Sequence, residues 1–141
     1  MELFNINLLA VFVAAAVAFF IGFLWHGPLF GAQWIKLMGI PQAEVDAMKA
    51  KGMGPMVPQM IAAFVQQVVT AGIMAHLMNA LSITDVVPAL LFAFVLWLGF
   101  IATVLLNGVL WENRKMNLYF FNIGYHLVAL AAIALVIVLM S

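Results

Sequence analysis

The chain has 141 residues; 68% are apolar and 7% charged, with five acidic and five basic side chains and a net charge of zero with histidines neutral. A soluble domain carries roughly 25% charged residues. Composition therefore excludes a disordered chain, a solvated enzyme domain and a nucleic-acid binder, which would need a basic surface. What remains is a single all-α membrane domain over residues 1–141.

A helix needs about 20 mostly apolar residues to cross roughly 30 Å of hydrocarbon. Four stretches qualify, at about 4–25, 57–81, 87–110 and 117–140. Their unbroken length favours helices over barrel strands, which alternate and need only about ten residues. The N-terminus lacks a basic leader region and its apolar run is long, so the first stretch reads as a span and not a cleaved signal. Without cysteine there is no disulfide framework, thiolate metal site or thiol nucleophile. The expected architecture is a four-transmembrane-helix bundle with a short interfacial helix in the first cytoplasmic loop.

Orientation follows from the basic residues. Lys36, Lys49 and Lys51 lie in the first loop, Arg114 and Lys115 in the third, and none in the second loop or the tails. The positive-inside rule then places loops one and three in the cytoplasm. Both termini and the turn around Ser82 to Asp85 face outside. In a bacterium this is the inner membrane.

The first loop, 28–56, is expected to be structured. Pro28 can open a helix and Gly39 can end it, with an apolar face that suits an interfacial helix. Pro41 opens a second segment with Glu44 and Asp46 early, Lys49 and Lys51 late, and Gly52 after. That order complements a helix dipole. Met53, Met56 and Met60 have thioethers that suit Cu(I). With no histidine or cysteine in the run, they read as packing methionines and the chain as having no metal site or cofactor.

Residues 21–34, IGFLWHGPLFGAQW, align without gaps with residues 98–111, LGFIATVLLNGVLW, at Gly22/Gly99, Phe23/Phe100, Leu29/Leu106, Gly31/Gly108 and Trp34/Trp111. A duplicated hairpin with parallel halves is one explanation, chance in a Gly/Leu/Trp-rich chain the other.

Polar side chains in hydrocarbon are costly and turn to the bundle interior. Spans three and four are antiparallel neighbours, so counting from their turn puts Asn107 level with Asn122. One helical turn deeper Thr103 meets His126, and Gln66 of span two falls at that depth. Steps of four keep each series on one face. The bland reading is a ladder that holds the hairpin together. The sharper one is a cytoplasm-facing cavity lined by Asn107, Asn122, Tyr125 and His126, with His26 and Glu112 near the interface. Trp25, Trp34, Trp111 and Tyr119 are expected as interfacial anchors. Trp97 should lie near mid-membrane, where its indole N–H needs a partner. Glu112 and Arg114 should pair at the surface, where an ion pair contributes little.

Two motifs, GFLWHGPLFGAQWIKLMG and LGFIATVLLNGVLWENRKMNLYFFNIGYHL, resemble the uncharacterised membrane family catalogued as domain of unknown function 1761. The resemblance runs through Trp25, Gly27, Pro28, Phe30, Gly31 and Trp34, then Gly99, Phe100, Asn107, Glu112 and Arg114, then Asn122, Gly124 and Tyr125. The family usually has tyrosine where this chain has His26. It implies length, four spans and both motifs, and no activity.

The functional expectation is a non-enzymatic membrane protein, assembling as a homo-oligomer or as an accessory subunit of a membrane complex. Ala14, Ala15 and Ala16 of span one and Gly72 and Ala75 of span two offer close-packing surfaces for that. The alternative is a small carrier or channel using the polar cavity. A membrane enzyme with a histidine base ranks last, since no nucleophile–base–orienter set is visible.

Overall fold

The computed structural model describes residues 6–141, and every regular element among them is helical. The expected start of the first span at residues 4–5 lies outside the described residues. Four helical stretches are long and apolar enough to cross a membrane: Leu8–Leu29, Gly54–Ala80, Val86–Trp111 and Met116–Leu139. They match the expected spans to within a few residues.

The first stretch is α1 (Leu8–Leu24), continued by a π turn over Trp25–Leu29. Asn7 caps it by accepting a hydrogen bond from the Ala10 N–H at 3.2 Å and donates to Met140 O at 3.2 Å, tying the two chain ends together. Gly27, at φ −122° and ψ −108°, breaks the helical path just before Pro28. The next helix, α2 (Gly31–Met38), therefore starts three residues later than a Pro28 opening predicts. It ends where expected. Gly39 adopts φ 70°, and the Ile40 N–H returns to Ile35 O at 3.1 Å, a closure that favours glycine. Helix α3 (Gln42–Lys51) follows with Pro41 at its cap, Glu44 in its first turn and Lys49 and Lys51 in its last.

A 3₁₀ turn at Gly54–Met56 leads into α4 (Val57–Ala80). The third stretch is interrupted: α5 (Val86–Trp97), a π turn over Leu98–Ala102, then α6 (Thr103–Leu105) and α7 (Asn107–Trp111). Helix α8 (Met116–Leu139) is continuous.

The long helices pack in the order α4, α1, α8, α5. Helices α4 and α5 follow each other in sequence but make little contact. A duplicated hairpin fits the first part of this, since α1 pairs with α4 as α5 pairs with α8. True two-fold symmetry would also make α4–α5 the equal of α1–α8, and it is not. Both repeat segments contain a π turn, at positions that do not correspond in the alignment.

Packing is uneven along the bundle. The shared core joins Ala14 and Ala18 of α1, Met74 and Met78 of α4, Ala89 and Ala93 of α5, and Ile133 and Ala134 of α8. All lie toward the end that carries both chain termini and the Ser82–Asp85 turn, here the terminal end. Alanines on one helix receive isoleucine and methionine from the next, which lets the backbones approach. Ala14 and Ala15 are fully enclosed, Ala75 is buried, and Gly72 approaches Val11. Of the small residues expected to serve assembly, only Ala16 is left on the outer surface. Toward the basic end, which carries the first and third loops, α4 buries no residue before Ala71.

Candidate functional site

The loosening of α4 opens a cavity of about 420 Å³ between α1 and α4. Phe19, Phe23, His26, Met53, Met56 and Met60 line it, and Gln66, Gln67 and Tyr125 supply further polar groups. At its polar end the Gln67 side-chain amide donates to Tyr125 Oη at 2.9 Å.

Gly22 makes that arrangement possible. A Cβ there would lie 2.9 Å from Tyr125 Oη and 3.2 Å from its Cζ. A mid-helix glycine costs about 1 kcal/mol relative to alanine, and here the missing side chain is the space the phenol occupies. One residue away on α8, Gly124 plays the reciprocal part, since its Cβ would meet the Trp25 ring at 3.4 Å. The α1–α8 contact is thus two aromatic rings set against two glycines.

His26 sits in the π turn, with Nδ1 3.0 Å from Gly22 O. A carbonyl only accepts, so Nδ1 carries the proton and Nε2 of the neutral ring is an acceptor. The ring meets Trp34, Phe121 and Tyr125 edge to face, with centroids 5.2–5.7 Å apart.

On the other side of α4 a groove of about 300 Å³ runs between α4 and the third span, with α8 as its floor. Gln66, Thr70 and His126 are its polar lining, and Gln66 and Gln67 border both openings. Thr70 Oγ1 donates to Gln66 O at 3.1 Å. A third hollow, about 380 Å³, holds Asn107, Glu112, Arg114 and Asn122 beside the third loop. There Glu112 pairs with Arg114 at 3.4 Å, both well exposed, as a surface pair of little energetic weight.

The expected polar set is thus divided. His26, Gln66 and Tyr125 share the first cavity, Gln66 and His126 the groove, and Asn107, Glu112 and Asn122 the third hollow. Asn107 and Asn122 line one hollow but no hydrogen bond joins them among the described residues. Thr103 does not join His126: it is exposed, and its hydroxyl donates to Gly99 O at 2.7 Å. Gly99 faces open space and brings no helix closer. Span three is irregular on both sides of Thr103. The step from Asn107 to Thr103 crosses the break between α6 and α7 at Leu106, and the step from Thr103 to Gly99 enters the π turn at Leu98–Ala102, whose extra residue takes four-residue steps off one face.

The aromatic anchors also diverge. Trp111 is 80% exposed, as an anchor would be. Trp25 instead turns inward against Phe30, Phe121 and Tyr125, and its buried Nε1 has no acceptor among the described residues. Trp34 is half-buried against His26. Tyr119 donates to Ala102 O at 2.6 Å. Trp97 finds the partner its depth required, Ile123 O at 2.7 Å. Together these last two bonds fasten the irregular third span to α8.

Gln67 was the polar residue that depth counting passed over. It adjoins Gln66 in sequence, and only the splay of α4 decides which of the two reaches Tyr125. The methionine run also gains a partner invisible in sequence, since His26 lines the same cavity. Among the described residues no three His, Cys, Asp or Glu side chains group to hold a metal.

Uneven packing, an all-helical frame and apolar spans define a small four-span bundle with a cleft at its basic end. The chain belongs to the family described as "Protein of unknown function (DUF1761)", whose profile matches residues 9–138. No curated protein and no solved structure matches it.

Proposed function

We propose that this is a non-enzymatic integral membrane protein that admits a small ligand from the cytoplasmic side, in the manner of a simple carrier. The observation that carries this is the contrast along α4. It is buried from Ala71 onward and only half-buried or exposed before it, where Gln66, Gln67, Tyr125 and His126 line openings. With the basic loops in the cytoplasm, as their charge favours, the wider openings, of about 420 and 300 Å³, lie on the inner side, and the terminal end holds a smaller hollow of about 270 Å³ lined by Asn7, Asn79 and Ser82. Binding sites in membrane carriers commonly lie between helices near mid-depth, and polar groups held there are functional candidates.

The chain has no cysteine, so accessibility can be read one site at a time. Gln66→Cys and His126→Cys should react with a membrane-impermeant maleimide from the side of the basic loops only. Ala93→Cys, at a position 0% exposed, should react from neither side. Labelling of Gln66→Cys from the side of the termini, or from no side, would remove the reading.

A second reading, assembly with another copy or with a membrane-protein partner, is favoured by the open edge between α4 and the third span. An exposed amide such as Gln66 is poorly placed against lipid, and a neighbouring helix would cover it. A protein that runs as a strict monomer in native lipid, with no co-purifying subunit, would count against that assembly.

A further inference from the structure

The cavity between α1 and α4 carries a more specific statement, which rests on the ligand-binding reading above. We propose that it binds a neutral, compact, apolar molecule bearing a hydroxyl group, such as an alcohol or a phenol.

Size and lining come first. Sites for small organic molecules run from about 300 to 1,000 Å³, are mostly apolar, and hold a few placed polar groups; this cavity has about 420 Å³. Its walls are phenylalanine and methionine, and methionine's flexible thioether adapts to varied apolar shapes.

Charge comes second. Among the described residues no Asp, Glu, Lys or Arg lines the cavity. A carboxylate, phosphate or ammonium entering it would lose hydration without a counter-charge, at a cost of several kcal/mol. The occupant is therefore uncharged.

Hydrogen bonding comes third. Gln67 donates to Tyr125 Oη, which leaves the Tyr125 hydroxyl hydrogen and Gln67 Oε1 unused. A ligand hydroxyl accepts from the first and donates to the second. A carbonyl or ether oxygen can only accept, and leaves the amide oxygen bare. His26, with its proton on Nδ1, offers a further acceptor in the lining. The polar pair lies deeper than the methionines, so the hydroxyl enters first and the apolar body lies among Phe23, Met56 and Met60.

The test uses the full chain in phosphatidylcholine nanodiscs. The probe is a benzyl alcohol carrying a trifluoromethyl diazirine on its ring. Its methyl ether and the matching benzoic acid are the comparisons. After photolysis, peptide mass spectrometry should place the alcohol's adducts on the Phe19–Phe23 and Met53–Ala63 segments, saturably. The ether should label there about five- to tenfold less, the scale of one lost hydrogen bond, and the acid at least about a hundredfold less. Tyr125→Phe should weaken the alcohol's labelling about five- to tenfold as well. Ala63→Trp, which fills cavity space one helical turn from Gln67, should abolish it. Equal labelling by the ether or the acid, or adducts spread over all lipid-facing helices, would overturn the proposal. So would displacement of the probe by stoichiometric Ag(I), which would assign the methionines and His26 to a soft metal. Maleimide labelling of Gln66→Cys in the same discs separates the two levels. If it reacts from the basic side while the alcohol fails, the ligand class is wrong and the open cleft stands; if it does not react, the cleft itself fails.

Discussion

Replacing Ile133 by alanine should destabilise the bundle by about 2–5 kcal/mol, the range for removing a fully enclosed branched side chain. Ile133 is 0% exposed and lies in the core joining α1, α4, α5 and α8. Its neighbours include Ala14, Ala18, Ala93 and Ala134, short side chains that cannot extend to refill the lost volume. The resulting void also loses dispersion contacts on every side. Unfolding titrated with SDS in mixed micelles would measure it. Leu139→Ala is the matched comparison: Leu139 is 67% exposed, and such surface changes usually fall within about 0.5 kcal/mol. Equal losses for the two variants would mean that Ile133 is not enclosed.

Gly22→Val should cost about 1–3 kcal/mol by overpacking, and it should act on the site as well as on stability. The added Cβ alone meets three atoms of the Tyr125 phenol, at 2.9, 3.2 and 3.3 Å, and valine brings two further carbons on a stiff χ1. The ring must swing away, and the bond from Gln67 breaks with it. Gly99→Val is the informative contrast, because Gly99 also lies inside a helical stretch and a Cβ there meets nothing within 4 Å. Tyrosine fluorescence in a background with tryptophans replaced by phenylalanine, together with the same SDS titration, would read both effects. Unchanged stability and an unchanged Tyr125 environment in Gly22→Val would show that α1 and α8 are not in close contact at this level.

Much of the fold is readable from residue order because solvent exclusion acts on whole segments. Twenty or so apolar residues have few ways to avoid water, so the four helices follow from length alone. Helix α3 follows from Pro41, the early acids, the late lysines and Gly52, which act within a turn or two of themselves. The site is different. Tyr125 and Gln67 are separated by 58 residues, and their meeting depends on Gly22, a third position whose contribution is absence of volume. Regular stepping along span three fails at Leu106 and again at Leu98–Ala102, since nothing in the apolar run marks a helix break or a wide turn by composition. Trp25 and Tyr119 were read as interface residues by type, and their hydrogen-bonding and ring partners could only come from packing. The small alanines were visible, but whether they face a second chain or their own neighbours depends on helix rotation, which periodicity does not encode when all faces are apolar.

The uneven burial of α4 has a mechanical consequence. A helix gripped along Ala71–Met78 and held along its earlier turns by little more than Phe64 against Phe19 and Gln67 on Tyr125 approximates a cantilever. Its stiffness comes from unbroken backbone bonds over 24 residues, so a small rotation at the clamp becomes a larger sweep at Met60. At a rise of 1.5 Å per residue, the lever from Ala71 to Met60 is roughly 16 Å long. Tilting it by about ten degrees moves its tip by roughly 3 Å by that geometry, enough to alter the width of both the cavity and the groove together. The two openings lie on opposite flanks of one beam, so narrowing one widens the other.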